Sequence, residues 1–511
     1  MSSNKAQKII LIMPGEIGLY LKDKLPPLIY KATRDIFSRL LQKKVTLPLS
    51  VLALAPYLQK AGFEPVIIDG RVEDSIKRLN EELDDKVVFV GISCLTGSSV
   101  FFGLQCAQHV RKVNPKIPIV FGGVHVTLTP EQSLRTSEFV DIVVRGEGEH
   151  TAAELAKCLT DGGDLSKVDG VSYKKDGEII HNQDRPFFSF NDQLEFDYSL
   201  LNMDNYDLSR FLYQSERGCP HRCQFCDVLV VHRRTFRKKS AEMVLKDMKG
   251  IYDKYKPDKL ILVDDCFFAD FKRATAVIEG LIGMKLDMKW HASCRAQYFR
   301  RTTVDFWKRA KESGLVEVYV GVESGSQKIL DYIKKDCTIG DIKSGVEQIN
   351  EAGLTFMTNL MCGFPGEEKR DVELSMDIID KLRNGYPETV QLGKIFLYAP
   401  CPGTPLHKKV VEAGFDPPKT LYDWGQFRIG HRSHTEWHPL VDYLWAVSVC
   451  SHRGVPFSWK TARQRLKRLN IPGVVRDMLG HIAWYRWKHR YFKYPLDVKI
   501  IDSIDRFFYL W

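Results

Sequence analysis

Glu216-Arg217-Gly218-Cys219-Pro220-His221-Arg222-Cys223-Gln224-Phe225-Cys226 sets three cysteines at Cys-x3-Cys-x2-Cys near the middle of a 511-residue chain that holds only 12 cysteines in all. Soft thiolates suit iron, and three of them close together leave one iron of a four-iron cluster open to a further ligand. The inorganic rival is a structural zinc ion, which needs a fourth ligand and usually pairs its cysteines two by two; His221 is at hand to supply that ligand. Three incidental core cysteines account poorly for so dense a run. The segment follows Leu212–Glu216, an apolar run that reads as a strand.

Five more such runs lie beyond it: Lys259–Val263, Lys289–Ala292, Val316–Val322, Thr355–Met361 and Thr389–Leu397, each followed by a segment of helical periodicity. Six βα units in series predict a partial or complete TIM-type barrel, in which the chemistry gathers at the carboxyl ends of the strands. Those ends carry Leu262-Val263-Asp264-Asp265, Ser293-Cys294-Arg295, Gly321-Val322-Glu323-Ser324-Gly325, Gly363-Phe364-Pro365-Gly366-Glu367 and Pro400-Cys401-Pro402-Gly403-Thr404-Pro405-Leu406. Asp264 and Glu323 have a second explanation as helix caps.

Upstream, short β-branched runs at Lys8–Met13, Glu64–Asp69, Val87–Ser93, Ile117–Gly122 and Val140–Arg145 alternate with helical spacing at Pro48–Ala61, Val72–Leu83, Phe101–Asn114 and Pro130–Thr136. This alternation predicts a doubly wound, Rossmann-like α/β domain with a ligand crevice at the carboxyl ends of its strands. Small residues stand there: Gly91-Ile92-Ser93, Gly122-Gly123-Val124-His125 and Gly146-Glu147-Gly148-Glu149. Each glycine alone reads as a turn residue; the set on one edge favours a bulky ligand or phosphate. No Gly-x-Gly-x-x-Gly fingerprint follows the first strand, which argues against a nicotinamide. Four regions result: 1–165 doubly wound, 166–205 a linker hairpin turning at Lys175-Asp176-Gly177, 206–425 the barrel, and 426–511 helical.

At 44% hydrophobic and 27% charged, the chain has the composition of a globular protein with a substantial core. No run approaches the length of a membrane span, and Met1–Ile10 lacks the apolar stretch of a signal peptide, so the expected location is cytoplasmic. The other cysteines then read as thiols rather than disulfides. Among them Cys94, Cys266, Cys294, Cys337, Cys362, Cys401 and Cys450 lack the compact spacing of a second cluster, and core packing is the expectation. Of the net charge of +10, a surplus of nine lies in 453–511. From about Asp423 onward lie seven of the nine tryptophans, and Val475, Met478, Leu479, Ile482 and Tyr485 form an apolar stripe flanked by Arg476, Arg486, Lys488 and Arg490. Such a helix suits either a membrane surface, at the inner face, or a cap packed on the barrel mouth. Aromatics within an apolar stripe do not suit nucleic acid.

Cys219-x3-Cys223-x-Phe225-Cys226 resembles the motif of the radical S-adenosylmethionine (radical SAM) superfamily. The resemblance implies a four-iron four-sulfur cluster on Cys219, Cys223 and Cys226, and a 5′-deoxyadenosyl radical made from S-adenosylmethionine. It further implies adenine contacts at Phe225, cofactor contacts at Asp264, Asp265, Ser293, Arg295, Glu323 and Ser324, and adenine-side loops at Gly363 and Pro402. The electron donor expected for such an enzyme is a flavodoxin or ferredoxin-type protein. The first domain resembles the cobalamin-binding domain of the branch that includes the anaerobic Mg-protoporphyrin ester cyclase and many methyltransferases. On that resemblance Gly91, Ser93, Gly122, Gly123, His125, Gly146 and Glu147 surround cobalamin. The Asp-x-His-x-x-Gly signature of a lower axial histidine is absent, implying cobalamin bound without that ligand, or a degenerate domain. The expected reaction is methylation of an unactivated carbon in an apolar, lipid-like or polycyclic substrate. Radical cyclisation or carbon–carbon coupling on a lipid or tetrapyrrole stands second, and a non-catalytic cobalamin or iron–sulfur sensor third.

Overall fold

A computed structural model describes residues 7–15, 45–452 and 473–493 and folds them around two mainly parallel sheets. In the first, β1 (Lys8–Met13) lies between β2 (Glu64–Asp69) and β3 (Val87–Ser93), followed by β4 (Ile119–Gly122) and β5 (Ile142–Val144), all parallel. Ile9, Ile10, Leu11 and Ile12 are all buried, as expected of a strand covered by helices on both faces. The chain reverses its direction of winding between β1 and β3, which opens a crevice beyond their carboxyl ends. The expected helix over 48–61 is two short ones, Leu49–Leu52 and Ala55–Lys60. Pro56 forces the break, because its ring suits only the first turn of a helix.

The expected linker hairpin is part of this sheet. Its strands, β6 (Val171–Lys175) and β7 (Glu178–His181), extend the sheet antiparallel to β5. Asp176 and Gly177, at φ +50° and +81°, make the tight turn that matches strand twist.

The second sheet begins at β8 (Arg210–Tyr213), which stops short of the expected Leu212–Glu216. The backbone leaves the sheet after Tyr213, and β9 (Glu216–Arg217) pairs instead with β10 (Arg237–Lys238) in a small antiparallel ribbon. The sheet continues through β11 (Lys259–Leu262), β12 (Trp290–Arg295), β13 (Leu315–Glu323), β14 (Thr355–Cys362) and β15 (Val390–Leu397), all parallel. β8 and β15 are not neighbours, so this is a (β/α)6 partial barrel. Trp290, Trp307, Phe267, Phe268 and Phe299 fill its core and are fully buried.

Helix Val441–His452 covers the free edge at β15, where Ser448 Oγ donates to Ile395 O (2.8 Å) and Ile395 N donates to Ser451 Oγ (3.0 Å). Helix Gly473–Lys488 docks on the barrel through Trp487, whose Nε1 donates to Asp380 Oδ1 (2.9 Å). Arg490 pairs with Asp377 and Asp380 beside it. The buried face is therefore Ala483 and Trp487, whereas Met478 and Tyr485 of the expected stripe are exposed. A paired arginine and an indole N–H chose the face, which apolar spacing alone does not register. The side chains of Val475 and Leu479, together with Trp459, Trp511 and the basic residues from Arg453 to Arg468, lie outside the described residues. Among those described, no helix is long and apolar enough to cross a membrane.

Candidate active site

The ribbon of β9 and β10 launches the three-cysteine loop. Gly218 turns it at φ +83°, where a side chain would collide with Thr235 O, and Gly218 N donates to Asp265 Oδ2 (2.8 Å). Gln224 N donates to Ile333 O and Gln224 O accepts from Leu406 N, each at 3.0 Å, so the loop is held from both sides. Cys219, Cys223 and Cys226 line a cavity of about 210 Å³, and Phe225, Asp265, Ser293, Arg295 and Glu323 share its wall. Four of the strand-end predictions, and Phe225 of the motif itself, thus meet the three thiols at one place.

Four predicted residues stand behind that wall. Asp264 Oδ1 accepts from Ser215 N (2.6 Å) and Glu216 N (3.2 Å), fixing the point where the chain leaves β8. It caps no helix. Ser324 accepts from Ser326 N (3.1 Å) and meets Ser375 Oγ (3.2 Å). Gly363 and Pro402 shape loops that brace the cluster loop; Gly363 N donates to Glu367 Oε2 (2.5 Å) and Pro402 is buried. Burial pushes the Glu367 carboxyl up to about 8, against the pull of the Gly363 and Phe364 amides. Glu367 therefore holds a proton in the folded chain that it loses near 4.5 when unfolded, and its contribution to stability falls as pH rises between those values. Glu367→Gln removes that slope; its stability in urea should exceed the parent's by up to about 5 kcal/mol on the alkaline side of this window and by little on the acid side. A gap that does not change with pH refutes the assignment.

The Cys219 thiol is held down to about 7, chiefly by a hydrogen bond from Cys266, while burial pushes Cys226 up. Among the described residues, the side chains close enough to share a single ion are Cys219, His221 and Cys266, within 4.8 Å of one another. His221 is otherwise engaged: Nε2 meets Tyr298 Oη (2.5 Å) and Nδ1 accepts from Gln297 Nε2 (3.4 Å). Cys223 and Cys226 stand apart from that trio yet share a cavity with Cys219, which suits a multi-iron cluster better than one zinc ion. Arg295 supports the same conclusion. It is a buried cation with no carboxylate at ion-pair distance among the described residues, and its Nη1 donates to Cys223 Sγ (3.0 Å). Of the remaining cysteines, Cys94, Cys266, Cys294, Cys337, Cys362 and Cys450 are buried.

A larger cavity of about 710 Å³ opens where the strand ends of the first sheet face the barrel mouth. Gly91, Ser93, Gly122, Gly123, Gly146 and Glu147 line one side; Gln214, Arg217, His232 and Val263 line the other. Gly123 is at φ +97° with Cys94 O where its side chain would be, and the missing side chain of Gly146 would point into open space. A flat, bulky ligand fits such a glycine-lined floor. His125 is not on it. Its ring is fully buried, 5.3 Å from Trp424, with Nδ1 3.0 Å from Thr96 Oγ1, and burial lowers its pKa to about 4. His125 follows a turn that carries its side chain beneath the sheet edge, so it cannot serve the cavity as expected. Cobalamin bound here would receive no axial ligand from it.

Glu147 and Glu149 are joined to the segment that leads into the three-cysteine loop. Arg217 pairs with Glu149 (2.6 Å) and Glu147 (3.4 Å), and Arg237 grips both oxygens of Glu147 at 2.6 and 2.8 Å. Burial raises Glu147, but the Arg237 hydrogen bonds and both arginine charges outweigh it and hold the carboxyl below its usual range. His232 completes the group, its pKa lowered to about 4 by burial. Sequence reading missed Arg217, His232 and also Lys335, which lines the smaller cavity and pairs with Glu323 at 2.6 Å; only the place of Arg217 two residues before Cys219 offered a signal.

The comparisons agree with this architecture. Residues 43–156 match the B12 binding domain and 213–379 the Radical SAM superfamily. The chain is 31% identical over 367 residues to the uncharacterized methyltransferase PH0819 of Pyrococcus horikoshii, covering 70% of this chain and 77% of that one. It is 25% identical to the anaerobic magnesium-protoporphyrin IX monomethyl ester cyclase of Rubrivivax gelatinosus, over 64% of this chain and 60% of the cyclase. The cobalamin-dependent S-adenosylmethionine radical enzyme OxsB shares the fold, with a TM-score of 0.67 at 18% identity over 98% of this chain and 75% of its own. The chain belongs to the radical SAM superfamily, in the branch of enzymes that place a cobalamin-binding domain before the barrel and work with a four-iron four-sulfur cluster, S-adenosylmethionine and cobalamin.

Proposed function

We propose that this enzyme methylates an unactivated carbon of an apolar substrate. In this reading Cys219, Cys223 and Cys226 hold the cluster. Phe225, Asp265, Ser293, Arg295 and Glu323 bed S-adenosylmethionine, and Gly91, Ser93, Gly122, Gly123 and Gly146 bed the corrin. When bound, the cluster with S-adenosylmethionine supplies a hydrogen-abstracting radical, and cobalamin carries the methyl group.

The observation that carries the proposal is a single helical turn, Val228–Val231, between the two cavities. Val228 and Leu229 face the cluster cavity, whereas Val231 and His232 face the larger one. All four residues of the turn are aliphatic and half-buried. A carbon that must be reached from both sides lies along this turn, where aliphatic walls favour apolar groups and exclude water. Leu95 and Val263, 49% and 37% exposed, extend the apolar lining. The P. horikoshii relative, named a methyltransferase, supports transfer over ring closure. Exposed Trp484, Tyr485 and Tyr491 beside Lys488 suit collection of such a substrate at a membrane surface, with a flavodoxin or ferredoxin-type donor on the cytoplasmic side.

The test gives the anaerobically reconstituted enzyme trideuteromethyl S-adenosylmethionine, dithionite and a viologen, and anionic vesicles of total membrane lipid. Methylation places three deuteriums in a lipid product. A product lighter by two hydrogens and free of deuterium means cyclisation; methyl transfer confined to water-soluble extracts rejects the apolar and membrane assignments.

A further inference from the structure

We propose that Arg295 is a positioning residue for the cluster itself, setting its reduction potential through an N–H···S hydrogen bond to Cys223. The proposal rests on Cys219, Cys223 and Cys226 holding the cluster. The family resemblance gave Arg295 a contact with S-adenosylmethionine, and the structure also gives it a sulfur.

Arg295 ends β12, is 8% exposed, and places Nη1 3.0 Å from Cys223 Sγ. Its other terminal nitrogen donates to the Lys335 carbonyl and to Gln297 Oε1, which fixes the guanidinium plane toward the sulfur. The acids around it are engaged elsewhere. Glu323 takes Lys335 Nζ at 2.6 Å, Asp336 takes Arg222 at 2.9 Å, Asp341 takes Arg300, and Asp265 accepts from Gly218 N. Among the described residues, the Cys223 sulfur is thus the anionic protein group within reach of the guanidinium.

Placement matters because reduction adds one negative charge to a cluster that three thiolates already make anionic. Hydrogen bonds to cysteine sulfur and nearby buried cations stabilise the more negative state and raise the potential. Low dielectric around an almost buried guanidinium strengthens both effects. Glu323 and Lys335 cancel each other's charge, so Arg295 is the uncancelled cation at this wall.

The experiment compares parent, Arg295→Lys and Arg295→Met, each reconstituted anaerobically and matched for iron and sulfide, without S-adenosylmethionine. The reduced cluster is followed by electron paramagnetic resonance against a series of viologen mediators. The proposal expects a midpoint more negative in Arg295→Met, with Arg295→Lys between, and a severalfold smaller reduced fraction at a limiting mediator. Proton double resonance should show one strongly coupled exchangeable proton lost in Arg295→Met. Midpoints equal to the parent in both variants overturn it, even when S-adenosylmethionine affinity drops, since that pattern belongs to a carboxylate contact alone. If Arg295→Met retains no iron, Arg295→Lys, which keeps the charge, decides. A parent protein that takes up no iron refutes the cluster assignment instead.

Discussion

Cys226→Ala is expected to form no detectable 5′-deoxyadenosine from S-adenosylmethionine and to retain little iron, while melting like the parent protein. The three thiols line one cavity, and removing one leaves a four-iron core with two protein ligands. Cys266→Ala is the informative partner. It removes a thiol that hydrogen-bonds Cys219 but does not line the cavity, so iron and cofactor cleavage should persist. The reverse outcome, with iron lost from Cys266→Ala and kept in Cys226→Ala, would make the Cys219, His221 and Cys266 trio the metal site.

Arg273→Met should cost about 3–5 kcal/mol of folding stability, the usual penalty for stripping the partner from a buried charge. Arg273 reaches Glu216 at 2.8 Å, also donates to Ser215, and lies over the Phe267 ring at 5.2 Å. The Glu216 side chain is fully buried, and burial pushes its carboxyl well up; burial likewise lifts Asp264 to about 6. Loss of the cation lifts both further. Acids raised in the folded state stay protonated there while the unfolded chain ionises, so stability falls as pH rises from about 4 toward and past 6. Urea unfolding should show the deficit growing with pH, and adding Glu216→Gln should recover part of it. A deficit under about 1 kcal/mol, flat with pH, would mean that water reaches these groups.

Much of this was legible in the chain because the signals were periodic or dense. Apolar runs located the parallel strands of both sheets, though not that the hairpin of β6 and β7 joins the first, and the three-cysteine spacing located the cavity. The misreadings share a cause. Asp264, Ser324, Gly363 and Pro402 sit in the right strand-end segments, but adjacent residues at a strand end point in opposite directions, so motif position does not separate a cavity wall from its support. Asp265 faces the cavity while Asp264 ties the backbone behind it. His125 failed similarly, since the turn after Gly123 sends it toward Trp424, 299 positions along the chain. Lys335 and His232 carry no local pattern; long-range folding alone brings them in.

The pairing of Arg217 with Glu149 and Glu147 reaches beyond architecture, to how the enzyme is made. One arginine is fastened to the floor of the larger cavity and, two residues on, leads into Cys219, the first cysteine of the three-cysteine loop. Whatever steadies one end steadies the other, and such coupling is reciprocal. With cobalamin and the cluster placed as proposed, cells starved of cobalamin are expected to yield protein poor in iron, and cells starved of iron to yield protein that holds its vitamin loosely, which metal and corrinoid analysis of the purified protein would read.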